Sequence, residues 1–481
     1  MEAQQSLKEK TAKGLMWGGI SNGIQQLLGM LFGIILARTL NAEDYGLVGM
    51  LAIFSGIATT IITSGFTVAL ANEKEITDEA YSTVFWFTVI TSLSSYLILF
   101  GIAPLIAHFY GRTELISLSR VLFLSFIFAG IAAVPHTVLF KRLMTKVTAV
   151  IDIIALAVSG IIGITLAIQG YTYWAIAWQS VVFISLSSLL KMIFSPWRPR
   201  FIFDLQILKR MFPFSSKLFL TNIFTQINNN IFSVLLGKLF NAAQVGFYTQ
   251  GNKWMTMGNS LLNGMINGVA QPVLVEVRED KERQMNVLRK MIRFSAFLSF
   301  PAMLGLAFIA PEFIQITIGE KWMPSVPILQ LLCIMGAISP IALLYTQLLI
   351  THGKSNLFLY GNVLQGVFQL VILLTTAQFG ILWMVRAYVT TYFLFILYWH
   401  YYAHSLIGIR LIHLFKDILP YVLITAGVFL LVALITQSIQ NIYGLLLAKI
   451  TLSAILYSLV MWYSQSVIFR ECLQMVFKNK K

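Results

Sequence analysis

Apolar runs of about 20 residues, the length a helix needs to cross a bilayer, recur along the whole 481-residue chain. They fall near 15–36, 46–69, 81–107, 115–139, 149–168, 171–194, 213–236, 246–272, 294–318, 325–350, 356–377, 380–402, 418–437 and 442–467. Composition points the same way: 58% of residues are hydrophobic and 11% charged, whereas an average soluble domain has about 25% charged residues. So little ionic surface cannot solvate a globule of this size. A disordered chain and a disulfide scaffold are excluded as well, because the chain is strongly apolar and has two cysteines, Cys333 and Cys472. The expected fold is therefore an all-α polytopic membrane protein with about 14 transmembrane helices. The first run is expected to be a permanent helix: it is too long for the core of a signal peptide and contains Asn22, Gln25 and Gln26.

A net charge of +15 would suggest nucleic acid in a soluble protein. Here the cations lie in short segments between apolar runs, which is a topology signal instead. An even number of spans places both termini on one side, and that side collects 26 of the 34 Lys and Arg residues. Positive charge is retained in the cytoplasm, so both termini are expected there. The longest loop, 273–293, is expected to be a cytoplasmic helical connector with a solvated charged face.

The chain repeats itself at an offset of 200. SNGIQQLLGMLFGIILARTLNAEDYG at 21–46 aligns without gaps with TNIFTQINNNIFSVLLGKLFNAAQVG at 221–246. Asn22 pairs with Asn222, Gln26 with Gln226, Arg38 with Lys238, and Asn41, Ala42 and Gly46 with Asn241, Ala242 and Gly246. Six helices separate the copies, so both run in the same direction. This predicts two six-helix lobes related by a pseudo-twofold axis along the membrane normal. The expected division is 1–200, 201–410, and a third part, 411–481, holding helices 13 and 14 and the tail. Asn22, Gln26 and Gly29 form a polar stripe on the first helix; Asn222, Gln226, Asn229, Asn230 and Ser233 form its counterpart. Amides are costly in hydrocarbon. The stripes must face either a watery cavity or a partner helix to which they hydrogen-bond.

The segments KGLMWGGISNGIQQLLGMLFGIILARTLNAEDYGLVGM and SGFTVALANEKEIT, with GYTYWAIAWQ at 170–179 and the hairpin glycine Gly380, resemble bacterial polysaccharide exporters of the O-antigen and colanic-acid flippase type. These belong to the multidrug/oligosaccharidyl-lipid/polysaccharide exporter superfamily. The resemblance implies a two-lobed bundle that moves a polyprenyl-diphosphate-linked oligosaccharide across the bacterial inner membrane to its periplasmic leaflet. It also implies that two extra C-terminal helices help hold the lipid tail. The implied partners are that lipid-linked oligosaccharide, membrane lipids and other polysaccharide-assembly proteins, with no nucleic acid and no cofactor.

A diphosphate requires cations inside the bundle, and sugars require amides, hydroxyls and aromatic faces. The expected substrate-binding set is Arg386, Lys253, Arg120, Arg38 and Lys238 with the amides Asn22, Gln26, Asn222, Gln226 and Asn230. Arg386 lies among apolar residues in GILWMVRAYVTTY, and a centred Arg costs at least about 2.5–3.5 kcal/mol unless it snorkels or finds a partner. Arg38 and Lys238 could instead stabilise helix C-termini, and Arg120 could snorkel to headgroups. Lys449 is expected to snorkel or to meet a lipid phosphate. Most tryptophans fall where an interfacial belt is the default; Trp254, beside Lys253, is a candidate for stacking on sugar.

The carboxylates of Glu43, Asp44, Glu73, Glu75, Asp78, Glu79, Glu276, Glu279, Asp280, Glu282 and Glu471 fall in loops, connectors or tails. Asp152 opens a helix, where dipole compensation is the ordinary role. No buried carboxylate is evident, which weighs against a drug/cation antiporter of the same superfamily. An enzyme is also disfavoured, because metal, nucleotide and nucleophile signatures are absent; His400 and His404 make a metal pair with no third ligand. A non-transporting membrane component of glycan assembly remains a further alternative.

Overall fold

The computed structural model describes residues 7–63, 65–73, 76–466, 468–471 and 474. Lys74, Glu75, Cys472, Lys478, Lys480 and Lys481 lie outside them. The described residues are helical throughout, with no strand. The fourteen expected helices appear in order, two of them interrupted. The first is α1 (Leu7–Thr39); the second is broken into α2 (Ala42–Met50), α3 (Ala52–Thr63) and α4 (Phe66–Asn72). The third is α5 (Asp78–Tyr110), and the fourth is divided at Phe123 into α6 (Glu114–Leu122) and α7 (Leu124–Lys141). There follow α8 (Thr145–Ile168), α9 (Tyr173–Phe194), α10 (Leu205–Leu239), α11 (Ala242–Glu276) and α12 (Lys281–Thr317). A 3-10 turn, Glu320–Ser325, leads into α13 (Val326–Thr351), and α14 (Ser355–Thr376) ends in a second, Ala377–Phe379. Finally come α15 (Ile381–Ile407), α16 (Leu411–Thr436) and α17 (Ile442–Tyr463).

Twelve stretches among the described residues are long and apolar enough to cross a membrane. The expected seventh and eighth helices, α10 and α11, form but fall outside that set. Their sequences TNIFTQINNN and GNKWMTMGNSLLNGMINGVAQ replace aliphatic side chains with amides, hydroxyls and glycine. The expected connector 273–293 is the end of α11, a short turn, and the beginning of α12. Gly380 stands at φ +93° immediately before α15, a conformation open to glycine because it lacks a Cβ.

By contacts the chain divides into two compact units, Met1–Gly246 and Phe247–Lys481. In the first, Leu70, Val84, Phe85, Val134, Val138, Trp197 and Met211 form a buried core from α4, α5, α7, α10 and the segment before α10. That segment is strapped across the start of α5. Trp86 Nε1 donates to the Arg200 carbonyl at 2.8 Å, while the amides of Arg200 and Asp204 donate to Ser82 Oγ at 3.2 Å and Thr83 Oγ1 at 3.1 Å. Arg210 adds an ion pair to Glu73 at 2.8 Å. These contacts hold α10 in the first unit, so compactness places it differently from the duplication boundary near 200.

The repeated Asn-Ala-x-x-x-Gly element explains another close approach inside this unit. A Cβ at Gly46 would run into the Ala242 carbonyl, and one at Gly246 would run into the Ala42 carbonyl. The approach is reciprocal, as expected where two copies of one motif meet about a local twofold. Lipid tails are as apolar as leucine, so helices in a bilayer associate through such close packing and through hydrogen bonds.

In the second unit α12 packs on α13, α16 and α17. Ser299 Oγ donates to the Ala337 carbonyl at 2.7 Å, and Tyr457 Oη donates to the Phe297 carbonyl at 3.0 Å. At the chain-terminus side, Gln284 Nε2 donates to the Leu274 carbonyl at 2.9 Å, which orients its Oε1 to accept from His352 Nε2 at 2.9 Å. His352 lies just beyond α13; burial, then the neighbouring Arg278, Lys281 and Lys354, hold its pKa below the usual imidazole value.

Two consequences are measurable. Gly46→Val or Gly246→Val forces a side chain into backbone and should cost about 1–3 kcal/mol, read as a lower melting temperature in detergent by fluorescence-detected gel filtration. The folded state resists protonation of His352, so its contribution is present at neutral pH and is lost as pH falls through the ordinary imidazole range. Melting temperature should fall on mild acidification, and His352→Gln should flatten that slope.

Candidate functional site

The two copies of the polar stripe have different surroundings. On α1, Asn22 is exposed and Gln26 half-buried, and a Cβ at Gly29 would meet no atom within 4 Å. This face borders open space. On α10, Asn222, Gln226 and Asn230 are half-buried. Gly56 of α3 makes room for the last two: a Cβ there would stand 2.7 Å from Gln226 Oε1 and 3.6 Å from Asn230 Nδ2. Asn230 Nδ2 also donates to the Gln226 carbonyl at 2.9 Å. The α10 amides are thus interhelical contacts on this side, while the α1 amides stay accessible.

The cations expected to bind phosphate occupy several places. Arg38 is exposed in the last turn of α1. Arg120 lies 4.1 Å from the Phe100 ring, with its Nε donating to the Phe100 carbonyl at 3.5 Å. Lys238 lies 4.9 Å from the Phe109 ring and donates to the Phe109 carbonyl at 2.6 Å. Both of these are seated on α5, nine residues apart, or about 13.5 Å along the helix. Arg386 is exposed on α15, its guanidinium 4.8 Å from the Trp383 ring. The same face of α15 presents exposed Phe393, Leu394 and Leu397, surroundings in which an arginine reaches polar ground by extending along its stem. Lys253 is half-buried in amide-rich α11 and makes no ion pair among the described residues.

Trp254 is not available to stack on sugar. It is buried and packs edge-on against Phe313, with ring centroids 4.9 Å apart.

The expectation of no buried carboxylate is overturned by Glu312 and Asp417. Glu312, in α12, accepts from Lys449 of α17 at 2.6 Å, and both side chains are nearly enclosed. Lys449 therefore neither snorkels nor waits for a lipid phosphate. Asp417, in α16, is gripped bidentately by Arg289 of α12 at 2.7 and 3.0 Å, with Arg293 at 3.6 Å. Asp152 does more than compensate a helix dipole: Lys191 reaches its Oδ1 at 2.9 Å and Ser187 Oγ donates to the same atom at 2.8 Å. Each pair joins two helices. The available signal was complementarity, since Glu312 and Lys449 are isolated opposite charges within apolar runs.

A groove of about 610 Å³ lies between α12 on one side and α16 and α17 on the other. Phe297, Leu306, Phe308, Phe429, Lys449 and Ser453 are among its walls. It extends from Phe297 to Ile309 along α12, about 18 Å at helical rise. Its lining is almost entirely apolar, which suits a hydrocarbon chain.

Removing Lys191 should leave Asp152 charged and unpaired. Lys191→Met is expected to cost about 3–5 kcal/mol, while Lys191→Met combined with Asp152→Asn should recover most of it. Thermal unfolding of the three proteins in one detergent measures the difference.

Comparisons with known proteins agree with this architecture. The chain is 25% identical over 362 residues to the teichuronic acid biosynthesis protein TuaB of Bacillus subtilis (strain 168), covering 74% of each chain. It is 24% identical over 365 residues to the lipopolysaccharide biosynthesis protein WzxC of Escherichia coli (strain K12), covering 74% of this chain and 73% of that one. Its fold matches the lipid II flippase MurJ in an inward closed conformation, with a TM-score of 0.76, 16% identity, and coverage of 96% of this chain and 99% of that one. An inward-facing multidrug resistance MATE family transporter matches with a TM-score of 0.63 and 15% identity, over 79% of this chain and 95% of that one. Residues 35–327 match the family described as polysaccharide biosynthesis protein, and the chain belongs to that family.

Proposed function

We propose that this chain is a flippase for a polyprenyl-diphosphate-linked oligosaccharide, working by alternating access in the bacterial inner membrane for surface polysaccharide or lipopolysaccharide biosynthesis. The observation that carries the reading is family membership together with a fold shared, over 96% of the chain, with a lipid II flippase. Two physical features support it. The amides of α1 border open space, where sugar hydroxyls can exchange hydrogen bonds. The groove beside α16 and α17 can seat a hydrocarbon tail while the head crosses. Cytoplasmic termini follow from the distribution of Lys and Arg.

In this reading Lys253 and Arg386 contact the diphosphate in different stages of the cycle, with Arg38, Arg120 and Lys238 offering further positive charge. Asn22, Gln26, Asn222, Gln226 and Asn230 contact sugar. Export of a cationic drug fits less well, because Asp152, Glu312 and Asp417 each already hold a basic side chain.

The test is surface polysaccharide in cells that depend on this chain, normalised to its level in the membrane. Lys253→Ala or Arg386→Ala should reduce export about ten- to a hundred-fold, the equivalent of a charge-assisted hydrogen bond of about 1.5–3 kcal/mol. Arg386→Lys should retain part of it if charge matters more than bidentate geometry. Full export by both alanine variants would remove these residues from the site.

A further inference from the structure

The break between α3 and α4 leaves another cavity, wholly inside the first unit. Gly65 holds the break at φ +70°, and a Cβ there would stand 3.5 Å from the Phe219 Cβ and from the Ser215 carbonyl of α10. The cavity encloses about 320 Å³ between α3, α4, α5 and α10, within the range of small-molecule sites, about 300–1,000 Å³. Phe66, Phe87, Phe212 and Phe219 form its walls, with the Phe66 and Phe87 rings 4.6 Å apart. Phe212 and Leu220 are exposed and mark its open side.

Its polar groups are sparse, and one of them is unspent. Thr88 Oγ1 donates to the Phe85 and Gly130 carbonyls at 2.9 and 3.2 Å, and Ser216 Oγ donates to the Phe212 carbonyl at 2.7 Å. Ser215 Oγ is fully buried with no hydrogen-bond partner among the described residues, which is costly unless an acceptor arrives. Toward the start of α10, Lys209 is exposed and makes no ion pair among the described residues, whereas its neighbour Arg210 is held by Glu73. Lys209, Phe212, Ser216 and Phe219 follow one another at three- and four-residue intervals, so they share one face of α10. Ser215 lies about 9 Å along the helix axis from Lys209. Trp86, immediately before Phe87, stacks on exposed Phe201 with centroids 4.9 Å apart, and such rings collect at the level of lipid headgroups. The cavity therefore begins just below that level, on the side of the membrane where Lys and Arg gather.

We propose that this cavity binds one acyl chain of an anionic membrane phosphoglyceride. The chain lies among the four phenylalanine rings, its ester carbonyl accepts from Ser215 Oγ, and the headgroup phosphate meets Lys209. Cation, hydroxyl donor and apolar chamber succeed one another in the order in which a phosphoglyceride presents phosphate, carbonyl and hydrocarbon. A polyprenyl diphosphate has no carbonyl between its phosphate and its chain, so it would leave Ser215 unbonded. The site thus differs in chemistry from the groove beside α16 and α17. A bound lipid fills the gap that the broken second helix leaves against α10.

The test uses the full chain in phosphatidylcholine nanodiscs containing a phosphatidylglycerol with a diazirine on one acyl chain. After irradiation, peptide mass spectrometry should find label on the α5 and α10 walls around Phe87 and Phe212. Excess unlabelled phosphatidylglycerol should suppress that labelling while labelling of the outer surface persists. Lys209→Gln should raise the half-saturating lipid concentration about fivefold, and Ser215→Ala about two- to tenfold. Thr91→Trp fills the cavity from its rim and should abolish saturable labelling; should it fail to fold, Leu220→Trp fills it from α10 with the same expectation. No saturable labelling of these walls in the parent, or an unchanged half-saturation in both Lys209→Gln and Ser215→Ala, overturns the proposal. So does competition by polyprenyl phosphate as effective as that by phosphatidylglycerol, which would assign the cavity to an isoprenoid chain.

Discussion

A charge carried into hydrocarbon must meet another side chain, and much of this molecule is arranged around that requirement. Asp152 with Lys191 ties together the consecutive helices α8 and α9, while Asp417 with Arg289 and Glu312 with Lys449 tie α12 to α16 and α17, helices that sequence order does not place side by side. Such pairs add little net stability over a well-packed apolar alternative, yet breaking one leaves an uncompensated charge. Their value is positional: they fix which faces of α8, α9, α12, α16 and α17 meet.

Between those fixed points, packing depends on the absence of side chains. Gly46 and Gly246 let two copies of one motif cross with backbone against backbone, and Gly56 opens a recess for Gln226 and Asn230. No hydrophobic force drives leucine onto leucine in a bilayer, so shape and hydrogen bonds decide the contacts. Where packing loosens, as along the groove between α12 and α17, the surface left behind is apolar.

The helical plan was legible because its determinant is one-dimensional. A span must be about 20 apolar residues long, and all fourteen expected segments are helical. The repeat was legible for a similar reason: a duplicated motif keeps its spacing, and Asn41 and Asn241 open corresponding helices. Glu312 went unread because a carboxylate within an apolar run acquires meaning only from what faces it. Trp254 looked like a sugar platform because it adjoins Lys253, although neighbours in a helix point about 100° apart. One of them is buried against Phe313 and the other is half-buried.

The linear order of residues alone determined the membrane class, the helix series, the duplicated segment and the uneven placement of Lys and Arg along the chain. These depend on composition and period, which survive projection onto a line. Tertiary structure decided the rest: that α10 joins the first unit, that Gln226 and Asn230 pack beside Gly56 of α3 while Asn22 of α1 is exposed, and that Lys449 belongs to Glu312. Each of these is a distance between residues far apart in the chain. Neither periodicity nor propensity carries that information, because which faces meet is settled only when helices pack.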